Sequence, residues 1–166
     1  MAVIPITILF IISCSVYLTS FLGSYWTPTK SSAIARVAKE VKTRKSKIFY
    51  DLGSGDARLI GEVAKNTSAE AIGIEIDPLK WLFSMAKIKA NRLKNANIVR
   101  GNFYSANLSK ADIIFCYLPN RTLEKLEPKM KKLRKGTIII CYRIKFPTLK
   151  PIKELKPEKI YIYKIR

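Results

Sequence analysis

From Ser31 onward, apolar residues recur along the chain with two alternating periods. Between Ser31 and Lys42, Ile34, Val37, Ala38 and Val41 stand at i, i+3, i+4 and i+7. That spacing predicts a short amphipathic helix after the Thr27-Pro28-Thr29 turn, capped by Ser31 or Ser32. The period then shortens. Residues 47–52 (KIFYDL) read as a strand, 57–66 as a helix and 71–76 (AIGIEI) as a second strand. Residues 78–93 read as a helix with Pro78 in its first turn, 97–101 (NIVRG) as a strand, and 111–118 (ADIIFCYL) as a strand buried on both faces. An amphipathic helix over 123–133 and a strand over 136–142 (GTIIICY) follow. Residues 151–155 and 158–165, separated by Lys156-Pro157, predict a terminal hairpin on the sheet edge.

Strands alternating with helices at this spacing predict an α/β fold, a doubly wound and mostly parallel sheet with helices on both faces. No internal repeat or low-complexity linker interrupts it. The expected organisation is a separate segment over residues 1–24, a connecting segment with the amphipathic helix over 25–46, and one α/β domain over 47–166.

The first 29 residues follow a different rule. Residues 2–29 contain no Asp, Glu, Lys or Arg, whereas all 31 Lys and Arg and all 12 Asp and Glu of this +19 chain of 166 residues lie from Lys30 onward. Residues 3–22 (VIPITILFIISCSVYLTSFL) would span about 30 Å as a helix, the thickness of a bilayer's hydrocarbon core. Tyr25 and Trp26 stand where an interfacial aromatic belt would lie, and seven basic residues follow between Lys30 and Lys47. The expectation is one retained transmembrane helix, with the domain on the cytoplasmic side or in the mitochondrial matrix. The absence of Lys or Arg before the apolar run and of a small-x-small site after it argues against a cleaved signal peptide.

Composition also narrows the chemistry. The chain has no histidine, and Cys14, Cys116 and Cys141 are too far apart for a CxxC clip. Ser-His-Asp triads, zinc centres and disulfide scaffolds are all disfavoured, so no metal is expected.

The sharpest motif is Asp51-Leu52-Gly53-Ser54-Gly55-Asp56, which leaves a strand and opens a helix. Gly53 and Gly55 let the backbone turn tightly and let a ligand approach it closely. Twenty residues after Gly55, Glu75 ends the second strand, where an acid can accept the hydroxyls of a ribose. A dinucleotide fingerprint would want a third glycine where Arg58 stands. This loop instead carries acids at both ends, which repel a pyrophosphate and suit a cation. S-adenosylmethionine, with its sulfonium, ammonium and ribose, fits better than NAD.

These residues, with Gly101-Asn102-Phe103 after the third strand and Tyr117-Leu118-Pro119 after the fourth, resemble class I seven-strand, Rossmann-like S-adenosylmethionine-dependent methyltransferases. The layout is similar to the small archaeal and bacterial protein-lysine methyltransferases, and to the membrane-anchored mitochondrial enzymes that modify ATP synthase subunit c and the adenine nucleotide carrier. Tyr25-Trp26-Thr27-Pro28-Thr29 resembles the aromatic-x-Pro segment of that group, and residues 141–147 (CYRIKFP) its fifth-strand end. The resemblance implies that Asp51, Gly53, Ser54 and Gly55 hold the methionine end and that Glu75 holds the ribose. It further implies that Ile76 packs on the adenine while Asn102 and Phe103 edge it. Ala57 departs from the family's frequent glycine.

A sulfonium methyl needs an in-line, neutral nucleophile more than an acid. A lysine amine with an ordinary pKa of about 10.4 costs about 4–5 kcal/mol to present neutral at pH 7, and an aromatic-lined channel beside a cation lowers that cost. Tyr25, Trp26 and Tyr142 are candidates for the channel wall. Tyr117 reads either as the residue beside the amine or as a packed strand-end aromatic. Arg143 reads either as a group for a substrate carbonyl or as a solvated charge. The expected partners are a protein bearing a reactive lysine, itself membrane-embedded or otherwise apolar, and the membrane, through the N-terminal helix and basic runs such as 129–135. The high charge leaves RNA and small-molecule methylation, or a nonenzymatic S-adenosylmethionine sensor, as alternatives. Against nucleic acid stand Tyr117-Leu118-Pro119-Asn120, which is not the Asn/Asp-Pro-Pro-aromatic run of base-methylating enzymes, and Cys116, which has no proline before it.

Overall fold

The computed structural model describes residues 28–166. The expected anchor over 1–24, Tyr25 and Trp26 lie outside them. Among the described residues no helix is long and apolar enough to cross a membrane.

The chain runs α1 (Ser31–Thr43), β1 (Ile48–Leu52), α2 (Arg58–Asn66), β2 (Glu70–Glu75), α3 (Pro78–Ala90), β3 (Ala96–Arg100), β4 (Ile113–Cys116), α4 (Asn120–Lys131), β5 (Ile138–Tyr142), β6 (Lys153–Leu155) and β7 (Ile160–Lys164). The strands form one seven-stranded sheet in the order β3-β2-β1-β4-β5-β7-β6. Its first five members are parallel, with Asp51 opposite Gly73 and Phe115, and β7 joins β5 antiparallel with β6 outside it. This is a doubly wound, Rossmann-like sheet, and the terminal hairpin caps its edge as expected.

The all-apolar strands follow from burial on both faces. In β4, Ile113 and Phe115 join the core beneath α1, α2 and α3, while Ile114 and Cys116 join the core beneath α4 with Leu123, Leu126 and Met130. Helix ends differ from expectation in instructive ways. Neither serine caps α1, because Lys30 is the extended residue before it and Ser31 is already helical. Helix α3 begins as expected at Pro78, with the Asp77 carboxylate accepting from the Leu79 and Lys80 amides. Helix α4 starts three residues early, directly after Pro119, whose φ of −58° suits a helix start.

Two interior contacts position the site. Gly73 lies on β2 directly under the glycine loop, and a Cβ there would sit 2.5 Å from Ser54 Oγ and 2.6 Å from Ile98 Cδ1. Glu127 of α4, 4% exposed, accepts from the Thr148 and Leu149 amides and the Thr148 hydroxyl, fixing the segment after β5. Gly73→Ala should therefore destabilise the fold by about 1–3 kcal/mol, the cost of overpacking a close contact. Chemical denaturation checks this, and unchanged stability would mean that the loop does not rest on β2.

Candidate active site

The β1–α2 connection is built around backbone geometry that only glycine adopts freely. Gly53 and Gly55 have φ of 79° and 56°, and the Gly53 and Ser54 amides both donate to the Ile74 carbonyl. Ala57, also left-handed at φ 56° and buried, occupies the position where a glycine is frequent, so the loop keeps its shape against the preference of an L-residue.

Glu75, at the carboxyl end of β2 and 6% exposed, fixes this loop from behind. One of its carboxylate oxygens accepts from the Gly55 amide at 2.8 Å and the other from the Asp77 amide at 2.9 Å. Helix α3 adds two more ties. The Ser84 hydroxyl donates to the Gly55 carbonyl at 2.8 Å, and the Lys87 ammonium donates to the Asp56 carbonyl at 3.1 Å. None of Gly73, Ser84 and Lys87 stands out by motif. The glycine inside AIGIEI and a serine on an otherwise buried helix face were the available signals.

In front of the loop lies a cleft of ≈ 260 Å³, at the carboxyl ends of β1 and β4. Asp51, Ser54, Asp56 and Tyr117 line it with Leu118, Pro119 and Ile144, and Pro28 and Thr29 close its rim. The Ser54 hydroxyl is buried without a hydrogen-bond partner among the described residues and packs back against Gly73 of β2. Asp56 is paired with Arg58 at 2.9 Å. Burial, then the neighbouring Glu75 and Asp56 carboxylates, push Asp51 up to about 8. Among the described residues lining the cleft the one cation, Arg58, is paired with Asp56, so Asp51 leaves the cleft suited to a positively charged ligand rather than a phosphate.

The remaining candidate residues take distinct places. Ile76, 39% exposed, Asn102 and Phe103 stand beyond Glu75 at the ends of β2 and β3, outside the cleft but at the same end of the sheet. The loop carrying Asn102 and Phe103 is held by Lys129 of α4, whose ammonium donates to the carbonyls of Phe103, Tyr104 and Ala106 at 2.6–2.9 Å. Tyr117, half-buried, packs edge-on against Tyr142, ring centroids 4.7 Å apart. Tyr142 is 3% exposed and does not line the cleft. Exposed Arg143, at φ 65°, lies 5.7 Å from the Tyr142 ring centre, and its interaction with the neighbouring Tyr117 phenol holds it above the ordinary arginine value.

Residues 51–153 match the model of the ANTKMT methyltransferase domain. The chain belongs to this methyltransferase family. It is 30% identical over 149 residues to a protein-lysine N-methyltransferase of Saccharolobus islandicus (strain REY15A), spanning 84% of this chain and 92% of that one. It is 28% identical to the adenine nucleotide translocase lysine N-methyltransferase of Mus musculus, over 63% of this chain and 46% of that one. Among solved structures, an RNA methyltransferase from Salinibacter ruber in complex with S-adenosyl-L-homocysteine superposes with a TM-score of 0.75 at 26% identity, covering 84% and 92% of the two chains. The family member described here is an S-adenosylmethionine-dependent methyltransferase, and S-adenosylmethionine is its cofactor.

The raised Asp51 has a measurable consequence. Its ordinary value is 3.8, so between there and about 8 the cofactor-free fold holds a proton that the unfolded chain has released. Its contribution to stability is full at acid pH and is lost as pH rises through 8. A cation in the cleft favours the carboxylate and reverses the preference. S-adenosylmethionine binding should release up to about one proton near pH 7, with affinity rising from pH 6 toward 8 and levelling above it. Calorimetry in buffers of different ionisation heat checks this, and Asp51→Asn should abolish the proton release. Affinity independent of pH across that range would place the cation elsewhere.

Proposed function

We propose that this methyltransferase is a membrane-anchored protein-lysine N-methyltransferase. What carries the reading is the cleft, in which a cation-favouring Asp51 lies beside a half-buried Tyr117 among apolar residues, with no histidine anywhere in the chain. Such a cleft suits a nucleophile that has to arrive uncharged. The names of the Saccharolobus islandicus and Mus musculus relatives support the same substrate class.

When bound, S-adenosylmethionine supplies an activated methyl group on a sulfonium. In this reading Asp51 faces its positive end, while the Gly53, Ser54 and Gly55 backbone gives the methionine portion close approach. Glu75 keeps its bonds to the Gly55 and Asp77 amides and uses remaining lone pairs for the ribose hydroxyls. Ile76, Asn102 and Phe103 border the adenine. Tyr117 stands beside the incoming amine, and the Tyr142 ring packed edge-on against it holds it in place. The apolar rim favours the neutral amine: the lysine ammonium would give its proton to water, and its nitrogen would then take the methyl group that the bound cofactor would supply, leaving S-adenosylhomocysteine.

The anchor belongs to the same proposal. Residues 1–24 form a single transmembrane helix, 25–46 lead from it, with Tyr25 and Trp26 walling the substrate channel, and 47–166 make the catalytic domain on the cytoplasmic or matrix side. The support is the uncharged, bilayer-length run over 3–22 and the position of Pro28 and Thr29 on the cleft rim. A membrane-embedded target would reach the cleft without crossing the repulsion of a +19 chain.

Incubated with methyl-labelled S-adenosylmethionine and native membranes, the protein should label a protease-sensitive, RNase-resistant species. Label removed by RNase and not by protease would replace lysine with RNA. Tyr117→Phe should lower kcat by about tenfold or more, the scale of losing a positioned polar group at the reacting centre, with cofactor KM unchanged. Equal loss of cofactor affinity would make Tyr117 a packing residue.

A further inference from the structure

We propose that the outward face of α3 is a lipid-binding surface that seats this end of the sheet on an anionic bilayer. This goes beyond the lysine assignment and does not depend on it. Leu79, Leu82 and Phe83 stand at i, i+3 and i+4 on one face of α3, and Ala86 and Ala90 continue it, all of them exposed. Leu82 is 59% and Phe83 60% exposed, the two highest values among the large apolar side chains described. The helix packs inward through Ser84 and Ile88, with Trp81 and Met85 against the core, so the outer face is not needed to hold the fold. Exposed leucine and phenylalanine side by side on a helix call for a cover.

Three observations select a bilayer as that cover. Between residues 78 and 111 the sequence has seven Lys or Arg and no Asp or Glu, and Lys89, Arg92, Lys94 and Arg100 are exposed around the ridge. An apolar stripe bordered by exposed cations, with the nearby acid Asp77 buried and paired with Lys80, is the pattern of a helix lying in an anionic headgroup layer. The ridge also begins at the carboxyl end of β2, the end of the sheet where Pro28 and Thr29 rim the cleft and from which the uncharged segment 2–29 departs. Finally, the other basic run offers less free charge. Lys129 is committed to three backbone carbonyls, Lys131 to Thr148 and Glu127, and Arg134 to Asp112. The surface aimed at the membrane is therefore α3 rather than residues 129–135. A single-stranded nucleic acid would call for flat stacking faces among the cations, and the ridge offers aliphatic Leu79 and Leu82 beside one phenyl ring.

The full chain, with Cys14→Ser and Phe83→Cys, carries an environment-sensitive fluorophore at position 83, while Cys116 and Cys141 stay buried and unlabelled. A second sample carries it at Lys135→Cys, exposed before β5 at the opposite end of the sheet. Each is mixed with equimolar phosphatidylcholine–phosphatidylglycerol vesicles and, separately, with single-stranded RNA. Emission at position 83 should shift to the blue and be quenched by brominated lipid, with position 135 unchanged and Leu82→Glu removing the shift. Vesicle pelleting reports the N-terminal segment independently. A chain that pellets while position 83 remains in water overturns the α3 surface and leaves the anchor standing. A blue shift produced by RNA, or by raising protein concentration without vesicles, overturns it in favour of those partners.

Discussion

One buried carboxylate organises this end of the molecule. Glu75 ends β2 with an oxygen on the Gly55 amide and the other on the Asp77 amide, joining the cofactor loop to the start of α3. Taking a carboxylate out of water is costly, and two backbone donors offset that cost only while the loop keeps its left-handed turns. The same charge lies close enough to Asp51 to raise it, so the acid that shapes the loop also tunes the acid that faces the cleft. Glu75 thus shapes the loop and adds its charge to the burial that raises Asp51.

The rest of the fold serves that arrangement. A parallel sheet buried on both faces delivers Asp51, Glu75 and Tyr117 to one end, where the crossover connections open a crevice between β1 and β4. Helix α3 ties the loop through Ser84 and Lys87 with its inner face and leaves its outer face apolar. Helix α4 reaches across through Lys129 and Glu127 to hold the loops after β3 and β5. Both helices act on backbone carbonyls and amides, so the loops around the cleft are fixed by hydrogen bonds that their own sequences do not reveal.

This explains how far the amino-acid sequence could be read. The elements were legible because period-2 and period-3.6 patterns follow directly from which faces are buried, and the errors fall at helix ends, where Pro119 began α4 earlier than its apolar stripe suggested. The cofactor loop was legible because glycines and acids there have few other uses. Gly73, Ser84 and Lys129 were not, since their roles depend on partners 19 to 29 residues away in the chain. Tyr142 was placed at the channel wall on its aromatic character, yet it lies beneath Tyr117 and supports it. Arg143 reads from the sequence in two ways, and the fold leaves it exposed beside the Tyr142 ring.

The most direct measurement is the calorimetric affinity of Glu75→Gln for S-adenosylhomocysteine beside that of the unchanged protein. A carboxamide keeps the size but turns one of two acceptors into a donor facing a backbone N–H, so the loop loses its hold while repulsion on Asp51 is relieved. The account predicts affinity lower by about tenfold or more, with the protein still folded at the assay temperature and its stability lower by about 1–3 kcal/mol for the unmatched buried donor. Unchanged affinity would contradict it, because the cofactor site would then be built without the Glu75 carboxylate.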